Sequence, residues 1–313
     1  MVAPVLGLAS EPLRYESSVD AMGSTFSVAA YGADRDSIAA AVDQALEEAR
    51  RLDRMLSNYR PESEWSQVNR FAAEREVTVS QELFDLLAAC YSYSQKSQGT
   101  FDITVGPLMK IWGFYKGSGR MPHRSEVRTA LNRVGYQNLL LNPLNRTVRF
   151  KKDGLELDPG GIGKGYAVDR MAEILRRNGV KAALINAGGS SMYAIGTPPG
   201  EKGWQVYIRD PKDSRKTIEE LHLKDQSMST SGSYEKFFTI GRRTYSHIMD
   251  PRTGYPAPGM FSVSVIAPRC IDSEAWTKPI YINGRSWAAR NIPQGFRTYL
   301  CEDRGEAKCA WLQ

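Results

Sequence analysis

The apolar positions of residues 36–57, DSIAAAVDQALEEARRLDRMLS, fall on one stripe: Ile38, Val42, Ala45, Ala49, Leu52 and Leu56 recur at helical spacing. That period predicts a long amphipathic helix. A second is predicted over 81–96, with Leu83, Leu86, Leu87 and Tyr91 on its inner face. A third spans 125–134 and closes at Gly135 in the C′ role, and a fourth spans 165–177 and stops at Asn178-Gly179. Residues 25–32, TFSVAAYG, alternate as a strand, and two short strands flank the turn Asn142-Pro143-Leu144-Asn145. The period then changes. AALINAG, WQVYIRD, KFFTIG, TYSHIM and FSVSVIA read as strands bounded by Gly, Pro or Asp. Gly241-Arg242-Arg243 joins two of them as a hairpin. Helices early and antiparallel strands late predict an α+β fold. No composition break marks a linker, so residues 21–313 read as one domain behind an N-terminal segment, 1–20.

Composition narrows the class. The chain has 313 residues, 42% hydrophobic and 24% charged, with a net charge of +6, as in a globular protein with a substantial core. Its basic residues are scattered in short pairs such as Arg50-Arg51, Lys151-Lys152, Arg176-Arg177 and Arg242-Arg243. No nucleic-acid stripe or polybasic membrane segment results, so nucleic acid is not an expected partner. The positive surplus suits an anionic ligand and a solvated surface equally. The start, MVAPVLGLAS, is apolar and ends in small residues without a basic opening. It fits a signal-peptide remnant or a native terminus. Four cysteines, Cys90, Cys270, Cys301 and Cys309, show no CxxC spacing, which argues against zinc. Cys301 and Cys309 flank a turn at 303–306 and lie near enough to pair, but buried free thiols are the expected state.

Candidate chemistry begins at residues 157–169, LDPGGIGKGYAVD. A Walker A loop needs glycine where Asp158 stands and Ser or Thr where Gly165 stands, and a dinucleotide fingerprint needs glycine where Tyr166 stands. Gly160 and Gly161 suit a turn with positive φ, and Lys164 at a helix start suits phosphate oxygens.

Other polar clusters punctuate the chain: AMGST (21–25), LSNY (56–59), GTFD (99–102), INAGGS (185–190), SMSTSGSYEKFF (227–238) and YSHIMDPRTGYP (245–256). With D-x-G-G-I-x-K-G-Y-A-V-D and H-I-x-D-P-x-T-G-x-P in this order, the chain from Met22 to Pro268 resembles the FAD:protein FMN transferases, the ApbE-type flavin transferases. The resemblance implies a T-fold-related architecture of antiparallel sheets flanked by helices. It also implies an enzyme that splits FAD, transfers FMN through a phosphoester to a threonine of an acceptor flavoprotein and releases AMP. Magnesium on the pyrophosphate is implied as well. So is an exported, periplasmic location, with membrane association through an N-terminal segment and an acceptor in a membrane redox complex.

The resemblance places FAD contacts on Met22, Tyr59, Thr100, Phe101, Asp102, Asp158, Lys164 and, through its backbone, Ile248. Taken singly, Tyr59 reads as a half-buried loop tyrosine, Asp102 as a turn cap and Ile248 as strand core. His247, Asp250 and Arg252 are candidates for proton transfer or acceptor orientation, although a self-bonded Asx turn is the simpler account of Asp250.

The departure from the family pattern lies in residues 267–279, APRCIDSEAWTKP. The family's Asp and Thr metal positions, four residues apart, fall on Glu274 and Lys278, and its carbonyl ligand falls on Gly161. Glutamate is a hard-oxygen ligand, whereas lysine has three donors and no acceptor. Pro279 also argues against an undisturbed helix here. Three arrangements are open. The metal is retained by Glu274, a shifted ligand such as Asp272 or Thr277, and water. Alternatively, the Lys278 ammonium stands in the magnesium position, or the chain binds flavin without transferase activity. An FAD pyrophosphatase, with water as acceptor, is a further alternative.

Overall fold

Residues 12–312 are described by a computed structural model, apart from Ser214, Arg242 and the side chain of Lys116. An eight-stranded sheet follows chain order: β1 (Leu13–Ala21), β2 (Ser24–Gly32), β3 (Ala182–Ala187), β4 (Ser191–Ile195), β5 (Gln226–Gly232), β6 (Met260–Ala267), β7 (Arg297–Asp303) and β8 (Ala307–Trp311). Every neighbouring pair is antiparallel. The connections carry the rest. Between β2 and β3 lie α1 (Arg35–Leu56), α2 (Glu64–Phe71), α3 (Gln81–Lys96), α4 (Gly106–Ile111), α5 (Arg124–Leu131), a small three-stranded sheet and α6 (Gly163–Arg177). A hairpin, Trp204–Arg209 with Thr217–Leu223, joins β4 to β5. A second, Phe237–Ile240 with Arg243–Ser246, precedes a short pair on the way to β6. Helices α7 (Cys270–Asn283) and α8 (Arg285–Asn291) join β6 to β7.

Strand alternation sends the two sheet faces to different cores. Phe26, Val28 and Ala30 of β2 pack with the apolar stripe of α1 and with α6 and α7. Ala29 points the other way, into a core with Trp204, Val206 and Leu221 of the first hairpin. Asp34 caps α1 by accepting from Ser37 N at 2.8 Å.

Two polar devices fix α7. Ser227, Ser229 and Ser231, alternate residues of β5, are all buried and face it. Ser273 Oγ bonds Ser227 at 3.0 Å and Ser229 at 2.8 Å, and Thr277 Oγ1 bonds Ser231 at 2.7 Å. Ser273 and Thr277 are four residues apart, on one helical face. Helices α6 and α7 also cap each other. Asp169 accepts from the N–H groups of Cys270 (2.7 Å) and Ile271 (2.9 Å), and Glu274 Oε2 accepts from Gly165 N at 2.5 Å. Gly165 is obligatory there, because a Cβ on it would stand 2.5 Å from the Cys270 carbonyl oxygen.

Several sequence expectations change. The segment set apart as 1–20 contains β1, paired with β2 from Leu13 onward, while residues 1–11 lie outside the described residues. α5 ends at Leu131 with Asn132 as its cap, and Gly135, at φ 129°, opens a 3₁₀ turn instead of closing the helix. α7 runs through Pro279 to Asn283, because capping at its start and the serine contacts outweigh one lost ladder bond. The stretch 227–232, read only as part of a polar cluster, is an inner strand. The second hairpin forms with Ile240 opposite Arg243, its loop residue Arg242 being outside the described residues. Cys301 and Cys309 are not free: they sit directly opposite in the β7–β8 register and form a disulfide, whereas Cys90 and Cys270 are free and buried. Among the described residues no helix is long and apolar enough to cross a membrane.

Two outcomes follow. Alkylation of the unfolded, unreduced protein labels Cys90 and Cys270 alone, and prior reduction adds Cys301 and Cys309, as mass spectrometry will show. Asp169→Ala lowers unfolding free energy by about 2 kcal/mol in urea titration, because two helix-end N–H groups lose their acceptor.

Candidate active site

The β1–β2 turn, the end of α1, the long β2–β3 connection, the second hairpin and α7 converge on a cavity of about 440 Å³, within the range of small-molecule sites. The turn is the two-residue step Met22-Gly23, with φ of 53° and 67°. Such a turn needs left-handed backbone at both positions, and Met22 adopts it without being glycine. Asp53 of α1 anchors it by accepting from Met22 N at 2.8 Å. Sulfur Sδ of Met22 lies 3.9 Å from where a Cβ on Gly163 would stand, so the turn lies against the glycine loop.

Aromatic side chains line the mouth. Tyr59 is 73% exposed and meets Tyr115 edge-on at 6.3 Å. Phe101 is buried, edge-on to Tyr93, with Cε2 3.7 Å from the Cβ position of Gly161. The neighbouring Thr100 donates to Ser97 O at 2.7 Å and accepts from Asn283 at 3.0 Å.

The two aspartates turn their oxygens into the protein. Asp102 accepts from Thr104 N and Oγ1, both at 2.7 Å, and from Tyr136 N at 2.8 Å. Asp158 accepts from Tyr115 Oη at 2.6 Å and Gly160 N at 2.8 Å. Burial raises both carboxyls, Asp102 to about 6. They therefore shape the wall, and the cavity keeps the charge of its lysines. Lys164, at the start of α6, donates to Ser190 Oγ. Lys236 stands at the mouth, and Lys278 reaches in from α7.

His247 lies among these ammonium groups. Its Nδ1 is 3.1 Å from the Lys236 carbonyl oxygen, which assigns the proton to Nδ1 and leaves Nε2 with a free lone pair. Burial, with the charges of Lys278, Lys236 and Lys164, lowers its imidazole to about 4. Ile248 lines the cavity beside it, with its carbonyl accepting from Ala257 N. Asp250 and Arg252 do not reach the cavity: Asp250 accepts from Arg252 N and Nε, both at 2.9 Å, and from Nη2 at 2.8 Å, closing the DPRTG turn on itself.

The positions expected to hold a metal do not fit one. Glu274 is 3% exposed and spends its carboxylate on Gly165 N. The ammonium of Lys278, lowered to about 8 by burial and partly restored by Glu274, donates to the Glu274 carbonyl at 3.1 Å. Its Cε stands 3.5 Å from the Cβ position of Gly161. Neither shifted ligand helps, because Asp272 accepts from Tyr93 Oη at 2.5 Å and Thr277 bonds Ser231, both away from the cavity. Among the described residues no group of three His, Cys, Asp or Glu side chains is placed for a metal. A divalent ion 4 Å from an ammonium meets about 8 kcal/mol of repulsion at an effective dielectric near 20, twice the single-charge value.

Tyr115, Lys236 and Asp53 are site residues that motif reasoning missed. Tyr115 lies in a glycine-bounded aromatic run, Gly113 to Gly117, with positive φ at both ends; that composition was its one signal. Asp53 sits on the helical face that carries charge and gave none.

An aromatic mouth beside a glycine loop and three ammonium groups defines a site suited to an aromatic, anionic ligand. The particular family is settled by comparison: residues 22–297 match the ApbE family, and the chain belongs to it. It is 32% identical over 271 residues to an FAD:protein FMN transferase of Klebsiella pneumoniae (strain 342), covering 85% of this chain and 82% of that protein. An ApbE protein crystal structure from Thermotoga maritima superposes with a TM-score of 0.86 at 30% identity, covering 95% of this chain and 96% of that one. The apo flavinyl transferase ApbE of Pseudomonas stutzeri gives 0.86 at 26% identity, over 97% and 96%.

Proposed function

We infer that this chain transfers FMN from FAD to a hydroxyl of an acceptor protein and releases AMP. The observation that carries this reading is one cavity that gathers all the expected flavin contacts: Met22, Tyr59, Thr100, Phe101, Asp102, Asp158, Lys164 and Ile248. Family membership gives the reaction class. In the transfer, the acceptor oxygen bonds to the FMN-side phosphorus. The bond from that phosphorus to the bridging oxygen breaks, and AMP leaves with the electron pair. The hydroxyl proton passes to a base.

His247 is suited to that last role, with Nε2 unprotonated at neutral pH. Lys164 and Lys236 offset the pyrophosphate charge in the ground state and the charge that grows on AMP. Tyr59 supplies an exposed aromatic face for the flavin ring system. Our proposal takes the acceptor residue as threonine, on a flavoprotein of a membrane redox complex, and the working compartment as the periplasm. The Cys301–Cys309 disulfide supports an oxidising compartment.

Incubation of the protein with FAD and an acceptor domain tests the reading, with AMP and acceptor mass as readouts. AMP together with an acceptor heavier by FMN is expected. AMP with free FMN points instead to a pyrophosphatase, and FAD binding without either product to an inactive flavin binder. His247→Ala lowers turnover by about 10²–10³-fold and leaves FAD affinity within about threefold. From neutral pH downward the wild-type rate holds to weakly acid pH and falls as the imidazole protonates, near its lowered value of about 4. Tyr59→Ala weakens FAD binding about tenfold in a calorimetric titration.

A further inference from the structure

Lys278 is the single residue of α7 on the cavity wall. The serine contacts of Ser273 and Thr277 and the bond from Gly165 N to Glu274 set the rotation of that helix. Four residues beyond Glu274, Lys278 is delivered to the glycine loop, with Cε 3.5 Å from the Cβ position of Gly161. Its Nζ spends one of three donors on the Glu274 carbonyl, which leaves two for a ligand. Among the described residues no carboxylate forms an ion pair with it, because Glu274 is committed to Gly165. The carboxylates nearest the loop, Asp158 and Asp102, are likewise bound to protein donors. The ammonium therefore faces the cavity without a direct ion pair, beside a loop whose backbone leads into the N-terminus of α6.

We propose that the Lys278 ammonium is the resident cation of the glycine loop, pairing with the FAD pyrophosphate at the position where the resemblance implies magnesium, so that this chain binds and splits FAD without a divalent ion. The inference rests on the transferase reading above and changes no bond in that reaction. The phosphorus–oxygen bond to AMP still breaks and the acceptor oxygen still takes the phosphorus. Two Lys278 N–H groups remain to meet the pyrophosphate oxygens as charge-assisted hydrogen bonds. They stabilise the oxygen that leaves with AMP. A lysine in this position is also anchored by its own chain, so the cation does not depend on metal supply.

Calorimetric titration of FAD into the full chain, once in EDTA and once in millimolar magnesium, decides the matter without any substitution. Equal affinity within about twofold in both buffers, no heat from magnesium alone and, once an acceptor domain is added, AMP release in EDTA are expected. Binding or AMP release that appears only with magnesium overturns the inference and leaves the transferase reading standing. No FAD binding in either buffer overturns both. Lys278→Thr restores a hydroxyl acceptor: its FAD affinity in EDTA falls about 100-fold and magnesium recovers it. Lys278→Met, neutral and of similar length, loses FAD affinity to the same extent and is not rescued by magnesium. Wild-type affinity in EDTA for either variant, with thermal melting confirming that it is folded, sinks the proposal.

Discussion

The mutual capping of α6 and α7 is the constraint on which the site depends. A helix N-terminus leaves N–H groups without intrahelical partners, and here each helix lends the other a carboxylate: Asp169 serves α7 and Glu274 serves α6. Each carboxylate also sits at the positive end of its partner's dipole. The two helices can approach closely because Gly165 carries no side chain against the Cys270 carbonyl. The glycine loop enters α6 and Lys278 leaves α7, so the bonds that hold the helices together also set the distance between Gly161 and the ammonium. Packing and chemistry are one arrangement here.

The serine face of β5 supplies the second coordinate. An apolar strand would hold α7 against the sheet by area alone, which leaves rotation and slide loosely specified. Hydroxyls at every second strand residue, met by hydroxyls four apart on the helix, accept one register. Satisfied polar contacts in a dry interior are worth making because an unmatched alternative leaves buried groups unpaired. The same contacts let α7 run through Pro279, since the helix is held from the side as well as along its axis.

These facts explain what was legible in the sequence. Helices whose stability comes from an apolar stripe, such as α1 and α3, show their period directly, whereas neither Gly160 nor Gly161 adopts the positive φ expected of it, and the close approach that demands glycine in this loop is at Gly165. β5 was hidden because its inward face is serine, which carries no hydrophobic alternation. β1 was hidden beside an apolar terminus that drew attention from its own pairing with β2. The eight residues that the resemblance names as flavin contacts all lie on the cavity wall, whereas Asp250 and Arg252, named with His247 as catalytic candidates, do not reach it. A turn that closes on itself and a turn that presents groups to a ligand have the same sequence. The disulfide belongs to the same class of miss. Strand register, which set Cys301 opposite Cys309, is decided across the hairpin and not by the spacing of two letters.

The charge of the cavity follows from where its carboxylates point. Asp102 and Asp158 lie on the wall, but each turns both oxygens into N–H or O–H donors of the protein, and burial raises both carboxyls. They close the turns that present Phe101 and the glycine loop without offering a free acceptor to a cation. The lysines, by contrast, reach the cavity with donors to spare. A ligand that brings its own negative charge is then favoured at the ammonium groups, while a divalent cation beside Lys278 meets like charge. Burial lowers His247 to about 4, and the same ammonium groups add to that lowering. One set of ammonium groups therefore selects an anion, adds to the burial that keeps the base unprotonated and disfavours a free divalent ion, so that the three effects are coupled.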